Sequence, residues 1–211
     1  MTRTVPFALL LVIACTDATP PERVANLYAY TIPLETGFRI VFRWPASSLP
    51  VRIWTEPDGD LRAAATAAIR LWEDVVLYGE FNAVLVNDSA RADIMMLREA
   101  SDPLRGRIPD GSLRACGSTT TVGVEFDSTI TLPFRMTLTP RAGANADDVR
   151  DCLQIAVAHE LGHALGLLLD SDDPSDLMFE FPTVANPSRR DRATFGTLYH
   201  STPTVRVPEH R

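Results

Sequence analysis

Residues 159–163 read His-Glu-Leu-Gly-His, and this pentapeptide restricts the fold more than any other stretch of the 211-residue chain. Two histidines four apart on a helix project from one face and can share one zinc ion. Glu160 then stands beside the metal, placed to take a proton from water held there. The motif follows the run Leu153-Gln154-Ile155-Ala156-Val157-Ala158, where a polar triplet is costly unless a metal and its water satisfy it. Gly166 follows at the point where a helix must stop and turn the chain back, and Met178 follows a polar turn. The competing reading is a helix with two ordinary histidines, and these three features weigh against it. The chain has four histidines, and the other two, His200 and His210, lie near the C-terminus.

The length suits one domain with a sizeable core and leaves little room for a second. A net charge of -7 argues against nucleic acid or an anionic membrane surface as partner. At the N-terminus, Arg3 precedes an apolar run from Val5 to Ala14 that is too short to span a bilayer and reads as a secretory signal. The run ends in Val12-Ile13-Ala14-Cys15, which resembles the bacterial lipobox, where cleavage precedes a cysteine that becomes lipid-modified. An ordinary secretory signal in which Cys15 has no role is the alternative. Setting Cys15 aside leaves Cys116 and Cys152, an even pair for which an exported protein favours a disulfide over two free thiols. The expected organisation is a signal peptide over 1–14, a tether over 15–35 and one domain over 36–211. The tether expectation rests on Pro20-Pro21 and the scarcity of large apolar residues.

Strands are expected over 38–44, 51–54, 82–86 and 92–97, and a helix over 60–78 with Leu61, Ala65, Ala68, Ile69, Trp72, Val75 and Val76 along one face. Residues 101–121, rich in Gly, Pro and Arg, read as irregular. Short strands are expected over 122–126, 129–132 and 135–138. A helix capped by Asp147 or Asp148 should run to Leu167 and carry the histidines, and a last helix should cover 188–199. The rest of the C-terminal part reads as mainly irregular. This order is that of an α+β fold.

The stretch His159-Glu160-Leu161-Gly162-His163-Ala164-Leu165-Gly166-Leu167 resembles the metzincin metallopeptidases, and closely their matrixin branch. Arg43-Trp44-Pro45, Leu49-Pro50-Val51, Trp72-Glu73-Asp74 and Ala92-Asp93-Ile94 look like the matrixin pattern in matching order. Leu177-Met178-Phe179 is similar to the family's Met-turn, and Asp191 through Tyr199 to its closing helix. The resemblance implies a zincin-like domain: a twisted mixed sheet, two long helices including the active-site helix, a Met-turn and a C-terminal helix. It implies one catalytic zinc ion, with calcium an open question, and a protein or peptide substrate.

The chain departs from the metzincin pattern at the third ligand. That pattern, His-Glu-x-x-His-x-x-Gly-x-x-His, falls here on Leu169, which cannot bind zinc. Met178 lies one residue further from His159 than the family's usual spacing, so a one-residue insertion after Gly166 brings Asp170 into register. Asp170 is the first choice of third ligand, because carboxylate oxygen is a normal zinc ligand. Asp172, Asp173 and Glu180 are the alternatives, the first two also suited to holding a turn. The implied activity is that of a zinc-dependent metalloendopeptidase with His159, His163 and Asp170 on the metal and Glu160 as general base. The same resemblance implies that Met178 forms an apolar floor beneath the site, and Phe179 is expected to help shape the pocket for the side chain after the scissile bond. The alternative is a catalytically weak or inactive relative serving as a binding protein, against which the intact Glu160 counts. The expected setting is extracytoplasmic, as a monomer in the cell envelope held by its lipid or as a secreted protein.

Overall fold

The computed structural model describes residues 27–99, 116–125, 127–140 and 145–208. The expected signal peptide, Cys15, His210 and most of the stretch expected to be irregular lie outside them. Among the described residues the order is β1 (Ile32–Pro33), β2 (Arg39–Ile40), β3 (Val51–Thr55), α1 (Gly59–Glu73), β4 (Ala83–Val86), β5 (Ile94–Arg98), β6 (Cys116–Val124), β7 (Ile130–Pro140), α2 (Ala146–Ala164) and α3 (Arg189–Tyr199).

β1 and β2 form a small antiparallel ribbon. The other strands make one mixed sheet in the order β4-β3-β5-β7-β6, parallel except for β6, which runs antiparallel to β7 at one edge. α1 and α2 pack on one another, α1 reaching β3 and β4, and α2 reaching β6 and β7. Successive side chains of a strand point to opposite faces, so the covered face takes every second residue. Val51 and Ile53 of β3, Ile94 and Met96 of β5, and Phe134, Met136 and Leu138 of β7 are accordingly buried.

α1 buries Leu61, Ala64, Ala65, Ala68, Ile69 and Trp72, spaced three or four apart as an amphipathic helix requires. Its start is capped by Asp58, whose carboxylate accepts from Asp60 N at 2.9 Å and Leu61 N at 3.0 Å. The helix stops at Glu73 and does not extend to Tyr78. Val75 N and Val76 N bond three residues back, to Trp72 O and Glu73 O, and Gly79 at φ 69° then reverses the chain. The Glu73 carboxylate accepts from Ala83 N, tying the end of the helix to β4.

Further expectations about the elements are corrected. In 38–44 only Arg39–Ile40 pairs as a strand. Phe42 and Trp44 are buried in extended chain, and Val41 is bound by the tail after α3, through Thr204 N to Val41 O and Val41 N to Thr204 Oγ1, each 2.9 Å. β6 begins at Cys116, inside the stretch expected to be irregular, because its Ser-Thr-Thr-Thr sequence pairs along the 11-residue β7. That single strand replaces the two short ones expected around Pro133. α2 is capped by Asn145, not by an aspartate, through Asp148 N to the Asn145 side chain at 2.9 Å. Of the stretch expected as a tether, residues 27–35 lie against the domain, with Tyr28 buried and β1 paired.

Candidate metal centre

α2 delivers both histidines of the motif. Its last turns are almost entirely enclosed, with Ala158, His159, Glu160, Leu161 and Ala164 buried. Gly162 sits where α2 crosses α1, and a Cβ there would collide with Met178 Sδ and lie 2.8 Å from Trp72 Cζ2. The helix ends in a paired set of carbonyl bonds, Gly166 N to His163 O at 3.0 Å and Leu167 N to Gly162 O at 3.1 Å. Gly166 adopts φ 118°, and its Cα passes so close to Phe42 that an added Cβ would meet the Phe42 carbonyl. This turn sends the chain back beneath the histidines. Two buried tryptophans fix the helix from its sides: Trp44 Nε1 donates to Ala164 O at 2.9 Å, and Trp72 Nε1 to Ala158 O at 2.8 Å.

Both imidazoles are oriented by backbone. His159 Nδ1 bonds the Leu177 carbonyl at 2.9 Å, and His163 Nδ1 bonds the Leu167 carbonyl at 2.6 Å. Carbonyls accept, so each Nδ1 carries the proton and each Nε2 keeps its lone pair. The two Nε2 atoms lie 3.0 Å apart. Asp170 Oδ1 is 3.5 Å from His159 Nε2 and 3.2 Å from His163 Nε2. Burial, followed by the neighbouring His163, pushes His159 below the usual imidazole range. Burial pulls His163 the same way, but the bond to Asp170, the Glu160 charge and the Leu167 carbonyl together hold His163 up. Burial would raise Asp170, yet its bond to His163 and the charges of both histidines together keep it below the usual carboxylate range.

The donor set matches zinc. A tetrahedral ion with ligands at roughly 2.0–2.1 Å separates its donor atoms by roughly 3.3 Å, and the three distances here bracket that figure. Hydrogen-bonded Nδ1 atoms are the usual outer support of zinc histidines. Glu160 adds an independent sign: it is buried, and its Oε2 has no hydrogen-bond partner among the described residues. A buried carboxylate oxygen without a donor is costly unless a water or substrate group supplies one.

Among the described residues, the His, Cys, Asp and Glu side chains that converge in this way are His159, His163 and Asp170. The other carboxylates considered from sequence go elsewhere. Asp172 is exposed and pairs with Arg190 at 2.5 Å, Asp173 caps a turn by accepting from Ser175 N and Oγ, and Glu180 is exposed. Met178 is fully buried beneath the histidines' helix. Phe179 and Phe181 follow it, half-buried, with ring centroids 6.4 Å apart. Cys152 of α2 is disulfide-bonded, while the side chain of Cys116 lies outside the described residues.

Asp191 is a supporting residue whose role sequence reasoning missed. It is fully buried, and burial raises its carboxyl above the usual range. It accepts from Leu177 N at 2.7 Å, Ser188 N at 2.8 Å, Tyr28 Oη at 3.1 Å and, more weakly, Met178 N at 3.4 Å. It therefore fixes Leu177, whose carbonyl orients His159, and through Met178 N weakly holds the peptide that carries that carbonyl. The sequence signal was present: Ser188 and Asp191 form a reciprocal capping box at the start of α3. Asp176, also buried, accepts from Ser171 Oγ, Ser188 Oγ and Arg190, and so ties the loop after Asp170 to the same helix.

The family model described as Matrixin, a peptidase family, matches residues 44–199. No curated protein matches the chain. Among solved structures, the chain is similar to the high choriolytic enzyme 1, a hatching enzyme zinc-protease from the medaka fish Oryzias latipes. The two share 14% identity and a TM-score of 0.40, over 77% of this chain and 96% of that one. With the family match spanning most of the chain and every part of the centre described above, the protein belongs to the matrixins, zinc-dependent metalloendopeptidases.

Proposed function

We propose that His159, His163 and Asp170 hold the catalytic zinc of this metalloendopeptidase and that Glu160 is its general base. The observation that carries this reading is the convergence of three donor atoms at 3.0–3.5 Å, two from the helix that also buries Glu160 and one from the loop that follows it. When bound, zinc supplies a Lewis acid that makes water a better nucleophile and polarises the scissile carbonyl.

The residues do the rest. Glu160 takes one proton from the attacking water and returns it to the leaving amine nitrogen, so that acid and base work alternate on one carboxylate. The Leu177 and Leu167 carbonyls keep both imidazoles in the tautomer that presents Nε2. β6 ends the sheet beside α2, and Thr120 Oγ1 of β6 donates to the Glu160 carbonyl at 3.2 Å. An extended peptide adding to this edge is brought alongside the catalytic helix by main-chain bonds. Phe179 supplies apolar surface for the side chain that follows the scissile bond.

The protein is further proposed to be exported, with residues 1–14 removed and Cys15 lipid-modified, and to act at the cell envelope as a monomer. Among the described residues no helix is long and apolar enough to cross a membrane. Cys116 is proposed as the disulfide partner of Cys152 in that setting.

The test joins metal content to turnover. Purified protein should carry one zinc per chain and cleave a casein-type substrate, lose activity to a chelator and regain it with added zinc. Glu160→Gln should keep the zinc and lower hydrolysis by at least about a hundredfold. A metal-free protein, or a Glu160→Gln variant with near-normal turnover, would contradict the proposal.

A further inference from the structure

Tyr28 precedes every regular element of the domain, yet its ring is buried and its hydroxyl reaches a residue 163 positions away. It donates to Asp191 Oδ1 at 3.1 Å. The other oxygen of that carboxylate accepts from Leu177 N, and the Leu177 carbonyl accepts from His159 Nδ1. Four groups therefore lie in series: the Tyr28 phenol, the Asp191 carboxylate, the backbone of Leu177 and the His159 imidazole. The ring has a second contact on the same helix, with the Arg190 guanidinium carbon 5.4 Å from its centroid. Arg190 bonds Asp172 and Asp176, which flank the loop that leaves Asp170. One side chain thus rests against both residues of α3 that brace the metal-binding loops.

We infer that Tyr28 is a positioning residue of the zinc site, acting through Asp191 and Arg190. The later part of the stretch expected as a tether is on this view part of the support of the active site. The inference rests on the zinc reading above. The physical argument concerns Asp191 Oδ1. Without the phenol, that oxygen keeps only the 3.4 Å contact to Met178 N, too long for a good bond. A buried carboxylate so under-satisfied shifts toward remaining donors, and the donors within reach are the peptides of Leu177 and Met178. The shift passes to the carbonyl that fixes the His159 ring.

Tyr28→Phe removes the hydroxyl and keeps the ring, so the packing survives. Tyr30→Phe is the control, because Tyr30 is a neighbouring phenol in the same segment whose 3.5 Å partner is Ser201, off this path. Zinc affinity is measured by chelator competition, and the visible spectrum is recorded after cobalt substitution. Outer-shell support of metal ligands is worth roughly ten- to a hundredfold in affinity, so a support one bond further out should cost about three- to tenfold. We expect Tyr28→Phe to weaken zinc binding by that factor, alter the cobalt spectrum and lower kcat with KM held within about twofold. Tyr30→Phe should match the parent in all of these. Unchanged affinity and spectrum in Tyr28→Phe, or equal losses in both variants, would overturn the inference while leaving the zinc reading intact. A parent protein that binds no zinc would overturn both.

Discussion

At the scale of single residues, the third ligand is what distinguishes this centre. Asp170 differs from Asp172 and Asp173 in what competes for it: Arg190 holds Asp172 and the Ser175 turn holds Asp173, which leaves Asp170 to face the imidazoles. A carboxylate brings a negative charge that a third imidazole would not, so zinc held here is a weaker electrophile than one bound by three histidines. The ligand groups also bind protons, so acid competes with metal for them. Glu160 is proposed as base from its place in the motif alone, and the structure adds an Oε2 with no hydrogen-bond partner among the described residues. Asp191 and Tyr28 were not legible as support, since their effect depends on contacts between distant segments that no local pattern encodes.

At the scale of elements, α2 and its turn show why the local pattern was readable and the strands less so. The helix carries its own signals: an apolar run, a motif spaced four apart and a glycine where φ turns positive. β6 carries threonines and glycines with no apolar alternation, and its strand state comes from pairing with β7, a tertiary effect. The stretch 38–44 reads as a strand by its pattern, but after Ile40 the tail beyond α3 supplies the partner groups of Val41 in place of a ladder. Gly162 gives a direct test of the packing between α1 and α2. Alanine there gains up to about 1 kcal/mol of helix propensity. Its Cβ, however, meets Met178 and a Trp72 ring already fixed by its bond to Ala158. Overpacking of this kind costs about 1–3 kcal/mol, so Gly162→Ala should lose about 1–2 kcal/mol in denaturant unfolding. A variant as stable as the parent would show that the crossing is looser than described.

At the scale of the whole molecule, the domain is closed by its ends. Tyr28 docks on α3, and the tail after α3 binds Val41 and pairs with the start of β7 through Ile130 N to Arg206 O at 2.9 Å. The α+β class, the Met-turn and the closing helix were legible because each rests on local sequence. The docking of the ends was not. If Cys15 bears the lipid, the 12 residues from 16 to 27 reach at most about 40 Å, which keeps the peptidase near the membrane surface. Cys15→Ser should release the protein from the membrane fraction or block its processing, read by fractionation and the mature N-terminus. Unchanged fractionation with an unchanged N-terminus would dismiss the lipid anchor. The central claim, zinc bound by two histidines and Asp170, is tested most directly by the zinc affinity of Asp170→Ala beside Asp172→Ala. Asp170→Ala should bind zinc at least about a hundredfold more weakly and Asp172→Ala within about threefold of the parent. Parent-like zinc binding by Asp170→Ala would contradict the account.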